Sequence, residues 1–139
     1  MEIFFDIDEI EKTAREFLKI TEGYKVFAFS GELGAGKTTF ITWLCKQFGV
    51  VETVSSPTYS IIQEYITVQN KVIYHIDLYR IKNSKEAMDA GIEDCLNSNE
   101  ICMVEWPEKA VGIFPEKTIF SNFEILSDNK RKLIIQLPG

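Results

Sequence analysis

A chain of 139 residues, 45% hydrophobic and 26% charged, has the size and balance of one globular domain. A formal charge of −6 with no densely basic window excludes the electrostatic footprint of a protein that grips nucleic acid by itself, so any role with RNA is expected to be indirect. No apolar run approaches the roughly 20 residues of a membrane span, and the start, MEIFFDIDEIEK, is acidic where a signal peptide is basic. A single cytoplasmic domain over 1–139, with no membrane contact, is the expectation. Cys45, Cys95 and Cys102 form no C-x-x-C pair and read as buried reduced thiols, implying neither disulfide nor zinc.

In chain order, Asp6 and Glu9 read as a capping box, and Ile7, Ile10, Ala14, Phe17 and Leu18 recur at helical spacing to about residue 20. After Glu22-Gly23, the run VFAFS (26–30) predicts a short buried strand. The next stretch, SGELGAGKTTF (30–40), carries the P-loop or Walker A pattern G-x-x-x-x-G-K-[ST] at Gly31, Gly36, Lys37 and Thr38. Phe40, Ile41, Leu44, Cys45 and Phe48 then predict a helix that stops at Gly49.

Strand, glycine loop and helix in that order give the motif its physical meaning. Glycines free consecutive backbone N–H groups to converge beside the positive end of the helix, which suits a triphosphate. Lys37 is expected to bridge the β- and γ-phosphates, Thr38 to offer its hydroxyl to Mg²⁺, and Thr39 to donate to the α-phosphate.

The segment VVETVSSPTYS (50–60) is hydroxyl-rich and irregular, and fits either a γ-phosphate-sensing switch or an ordinary connection. SIIQEYI and KVIYHIDLY predict a hairpin about Gln69-Asn70 that delivers Asp77 to the end of an apolar run. A helix from Ser84 to about Leu96 follows, and ICMVEWP then places Glu105 at a second such end. A P-loop enzyme needs one acid for Mg²⁺ and one group to orient the attacking water, and Asp77 and Glu105 can fill both roles. His75, two residues before Asp77, is expected to hydrogen-bond near the site rather than to bind metal. The last stretch, TIFSNFEILSDNKRKLIIQL, predicts a hairpin about Asp128-Asn129. Adenine is expected toward the N-terminal segment or this hairpin, where Lys130 and Arg131 would help.

GELGAGKTTF, SSPTYS, HIDLYR and VEWP, in this order and spacing, closely resemble the TsaE (YjeE) family of small bacterial ATPases over nearly the whole chain. The resemblance implies an ATPase needed for the threonylcarbamoyladenosine modification beside the tRNA anticodon, resetting a TsaB–TsaD complex between turnovers with ATP, ADP and Mg²⁺ as ligands. It implies phosphate binding by Glu32, Leu33, Gly34, Ala35, Gly36, Lys37, Thr38 and Thr39, Mg²⁺ binding by Thr38 and Glu105, and an essential acid at Asp77. Ser56, Pro57, Thr58 and Tyr59 correspond to a switch-like segment, and Tyr79, Arg80 and Trp106 to motifs that serve a partner surface or the geometry of the acids.

The expected fold is α/β, a P-loop NTPase-like three-layer sandwich with a mixed parallel and antiparallel sheet. Two rival functions remain at this level. A small-molecule kinase needs several arginines to clamp two sets of phosphates, and this chain has Arg15, Arg80 and Arg131. A nucleotide-gated binding subunit with negligible turnover uses the same loop and ligands.

Overall fold

The computed structural model describes residues 1–51 and 61–138; the segment 52–60, with the switch expectation at Ser56 to Tyr59, lies outside the described residues. The chain runs through β1 (Glu2–Asp6), a 3₁₀ turn (Ile7–Glu9), α1 (Ile10–Ile20), β2 (Val26–Ser30) and α2 (Lys37–Gln47). It continues with β3 (Ile62–Ile66), β4 (Val72–Asp77), α3 (Ser84–Asp89), α4 (Ile92–Leu96), β5 (Ile101–Glu105), a second 3₁₀ segment (Pro107–Ile113), β6 (Thr118–Ile125) and β7 (Lys130–Gln136). Among the described residues, no helix is long and apolar enough to cross a membrane.

The strands form one sheet in the order β1-β7-β6-β2-β5-β4-β3. Its centre, β6-β2-β5-β4, is parallel, and antiparallel partners extend it on both sides. The α/β fold with a mixed sheet is therefore as the sequence suggests.

Alternation along the central strands separates the two faces. Phe27 and Phe29 of β2 join Phe17 of α1, Phe40 of α2 and Phe123 of β6 in one core, whereas Val26 joins Cys102, Val104, Ile92 and Leu96 in the other. Ring centroids of Phe40 lie 5.3 Å from Phe17 and 5.1 Å from Phe123, both edge-on, a geometry that adds about 0.5–1.5 kcal/mol per pair beyond burial. Helices α1 and α2 thus cover one face, and α3, α4 and the second 3₁₀ segment the other. The aromatic cluster matters to function because it seats both ends of the glycine loop: Phe29 precedes it and Phe40 follows it.

Two elements differ from the sequence reading. Residues 2–6 form an edge strand paired with β7, and the capping pair opens a 3₁₀ turn, with the Asp6 amide donating to Glu9 Oε1 at 3.4 Å, before α1 begins. The helix expected over 84–96 is two helices. Gly91 adopts φ 82° between them, a conformation that glycine reaches without a Cβ penalty and that ends α3. The hairpins about Gln69-Asn70 and Asp128-Asn129 form as expected, Asn70 taking the left-handed φ of 63° that its turn requires.

Candidate functional site

The site lies at the carboxyl ends of β2, β4 and β5, the end of a parallel sheet where ligands enter. A cavity of about 310 Å³ opens there, lined by the loop from Leu33 to Thr39 together with Asp77, Tyr79, Glu105 and Trp106. Glu32, also expected on the phosphates, is exposed at the start of the loop and does not line this cavity. A second cavity, about 350 Å³, lies at the opposite strand ends beside Tyr24, Lys25, Asn97 and Glu100, and no glycine loop approaches it.

The glycines are required by backbone position. Gly31 has φ 137°, and a Cβ there would sit 2.8 Å from the carbonyl oxygen of Phe123. Gly36 has φ 107° and caps α2. The helix's own ladder starts with Phe40 N–H to Gly36 O at 2.8 Å, so the amides of Lys37, Thr38 and Thr39 precede it at the positive end of an 11-residue helix.

Arg131 supports this loop from beneath. Its buried guanidinium donates to Ala35 O at 3.2 Å, to Gly34 O at 3.5 Å and to Ser127 O at 2.8 Å. This corrects the expectation that Arg131 reads adenine, because its donors are committed to backbone carbonyls. Lys130, expected beside it, reaches Asp6 Oδ1 at 3.0 Å.

Lys37 donates to the Gly31 carbonyl, and its ammonium stands 3.8 Å from the ring centroid of Trp106. Burial lowers the pKa of Lys37, opposed by the carboxylates of Glu105, Glu108, Asp77 and Glu32 in that order. Trp106 itself holds φ 60° and ψ 50°, an uncommon conformation for a bulky residue that costs on the order of 1–3 kcal/mol, and the strand turns there toward Pro107. Its ring packs 5.0 Å from that of Tyr79, which is nearly half exposed. Trp106 is also partly buried against the second core, whereas Tyr79 is not part of either core. Arg80 is exposed, outside the cavity lining.

Thr38 Oγ1 donates to Glu105 Oε1 at 3.0 Å, and the other carboxylate oxygen, Oε2, meets His75 Nε2 at 2.8 Å. Glu105 and His75 are both buried. Asp77 is the register partner of Glu105 on β4 and accepts the Tyr79 amide at Oδ1, 3.0 Å away. The structure therefore brings together Lys37, Thr38, Asp77 and Glu105, drawn from three elements far apart in sequence. His75 makes the hydrogen bond expected of it. What sequence reasoning missed lies behind His75, where the Tyr65 hydroxyl sits 3.2 Å from Nδ1. Tyr65 stands in a β-prone run with no local signal of this contact, and there it reads as ordinary core.

The three cysteines are free. Burial pushes the Cys45 and Cys102 thiols up to about 12, well above a reactive range.

Comparisons with known proteins show what this chain is similar to. The chain is 40% identical over 128 residues to the tRNA threonylcarbamoyladenosine biosynthesis protein TsaE of Haemophilus influenzae, covering 91% of this chain and 80% of the relative. It is 37% identical to the protein of the same name from Rickettsia felis, covering 89% and 72%, and 35% identical to that of Borreliella burgdorferi, covering 83% and 82%. The fold is similar to the crystal structure of Bacillus subtilus YdiB, with a TM-score of 0.72 at 23% identity over 100% of this chain and 87% of that one. A family model described as threonylcarbamoyl adenosine biosynthesis protein TsaE matches residues 5–133, and with the glycine loop and its two acids in place the chain belongs to the TsaE family.

Proposed function

We propose that this protein binds ATP with Mg²⁺ and hydrolyses it, and that the hydrolysis resets a TsaB–TsaD complex between turnovers of threonylcarbamoyladenosine synthesis on tRNA in the cytoplasm. The observation that carries the reading is the contact between Thr38, at the start of α2, and the buried Glu105, with Asp77 alongside.

The residues suit the roles. Hydroxyl and carboxylate oxygens are hard donors of the kind Mg²⁺ takes, and Thr38 and Glu105 would hold it. When bound, Mg²⁺ neutralises charge on the phosphate oxygens.

The helix-end amides and Lys37 bind the triphosphate. For Lys37 to do so, its ammonium must leave the Trp106 ring and the Gly31 carbonyl. Asp77, less buried than Glu105, orients the attacking water and accepts its proton.

The arginines weigh against a kinase. Arg131 is committed to the loop and Arg15 pairs with Glu11 at 2.8 Å, leaving Arg80 to face a second phosphate. With no arginine among the described residues that line the cavity, hydrolysis by the protein alone is expected to be slow, since an arginine finger is worth ~10³ to 10⁵ in rate.

The test is ATP turnover alone and with TsaB–TsaD added, with Asp77→Ala as control. Slow turnover that rises with the partners and vanishes in the variant supports the reading. Turnover indifferent to them but raised by a small phosphate acceptor makes the protein a kinase, and nucleotide binding without turnover in either setting makes it a gated binding subunit.

A further inference from the structure

A buried row of polar groups runs from the site to the edge of the sheet. Glu105 Oε2 meets His75 Nε2 at 2.8 Å, His75 Nδ1 meets the Tyr65 hydroxyl at 3.2 Å, and that hydroxyl donates to Gln63 Oε1 at 3.2 Å. Tyr65 and His75 are 1% and 0% exposed, and their rings pack at 6.0 Å. Gln63 and His75 are register partners on β3 and β4, and β3 is the outermost strand.

Each link restricts the next. A carboxylate with two oxygens can rotate, and Glu105 has one oxygen committed to Thr38 and the other to an imidazole nitrogen. An imidazole can also rotate about its own bonds, and this one is gripped at both nitrogens. Nothing in catalysis as proposed above uses Tyr65 or Gln63, yet a hydroxyl buried this deeply costs free energy unless it is satisfied.

We propose that Tyr65, supported by Gln63, is a positioning residue: from the edge strand it fixes the ring of His75 and thereby holds the Glu105 carboxylate toward Thr38. The inference rests on the reading of Glu105 as the acid that holds Mg²⁺. It makes β3, which contributes nothing to the cavity lining, part of the catalytic machinery. A displacement of this edge strand would be transmitted to the site through three hydrogen bonds.

The test uses Tyr65→Phe, which keeps the ring, together with Gln63→Leu and His75→Gln. His75 is the only histidine in the chain, so the ¹⁵N spectrum of the imidazole is a single, unambiguous reporter. Tyr65→Phe is expected to move the Nδ1 signal, to lower kcat roughly three- to tenfold, as for loss of one hydrogen bond, and to leave the KM for ATP within twofold. Gln63→Leu should give a smaller loss in the same direction. In a His75→Gln background, Tyr65→Phe should cost nothing further, because the link it acts through is gone. An unmoved Nδ1 signal, or equal losses in the two backgrounds, overturns the proposal. If the wild type fails to turn over ATP at all, the ATPase reading falls instead, and the imidazole spectrum still decides whether Tyr65 holds His75.

Discussion

Asp77 and Glu105 face each other across two parallel strands, paired residue to residue at the ends of β4 and β5, yet Glu105 is 2% exposed and bonded on both oxygens while Asp77 is less buried and lies beside Tyr79. Two acids at one level of the sheet thus have different surroundings, which under the proposed function suits them to different tasks.

Neutral isosteres separate those tasks. Glu105→Gln is expected to raise the Mg²⁺ concentration for half-maximal turnover by about tenfold or more, with metal-free ATP affinity kept. Asp77→Asn is expected to leave Mg²⁺ dependence in place and lower kcat by about 10² to 10⁴, the contribution of a positioned base. Magnesium titrations of turnover, with calorimetry of nucleotide binding, check both; identical behaviour of the two variants contradicts the division.

The stacking of Lys37 on Trp106 makes the second prediction optical. The chain has two tryptophans, Trp43 and Trp106, so Trp43→Phe leaves one indole at the site. Its emission is expected to change when ATP draws the ammonium away, and to stay constant on ATP addition in Lys37→Met. Removal of the ring by Trp106→Ala frees Lys37 from a contact worth about 0.5–2 kcal/mol.

Arg131 offers a test of loop support remote from the phosphates. Arg131→Met keeps much of the apolar stem and removes every donor to Ala35, Gly34 and Ser127. Loss of charged hydrogen bonds to backbone carbonyls, that of Ala35 buried, is expected to cost about 2–3 kcal/mol of folding stability and to weaken ATP binding as the loop loosens. Denaturant titration and calorimetry measure the two effects; unchanged ATP affinity would show that the loop holds its shape without Arg131.

The buried thiols give a pH dependence. Cys45 and Cys102 are held neutral in the fold, with pKa values pushed from 9.0 up to about 12. The folded chain therefore keeps protons that the unfolded chain releases above pH 9, so the thiol contribution is full below pH 9 and declines as pH rises toward 12. The slope approaches about 1.4 kcal/mol per pH unit for each thiol. Urea unfolding at pH 8 and pH 10 is expected to show a smaller alkaline loss in the Cys45→Ala, Cys102→Ala variant than in wild type. At pH 8 neither thiol should react with iodoacetamide until the protein unfolds.

How much of this the sequence disclosed follows the range of the forces involved. VFAFS, the glycine loop and the helix from Lys37 were legible because a short apolar run, glycine spacing and helical periodicity are local signals. The break at Gly91 was local too, and a glycine after Ala90 was its signal. β1 was not legible: five residues with charges at both ends form a strand only because β7 lies beside them, more than 120 positions away. The same holds for the register that sets Asp77 against Glu105, and for Tyr65 and Arg131, whose roles depend on groups brought near by the sheet. Arg131 carried the wrong expectation because a cation near a nucleotide loop suggests a ligand contact, whereas burial turned its donors to carbonyls.

The place of β7 between β6 and β1 has a consequence for the order in which the molecule can form. β1 and the glycine loop precede β7 in the chain, so until β7 is added beside β6 the β1 edge of the sheet cannot form and Arg131 cannot reach the carbonyls of Gly34 and Ala35. A nascent chain that has not yet reached β7 carries its glycine loop without that support. The glycine loop is thus held in part by a residue 96 positions further along the chain, a long-range contact of the kind whose formation is slow.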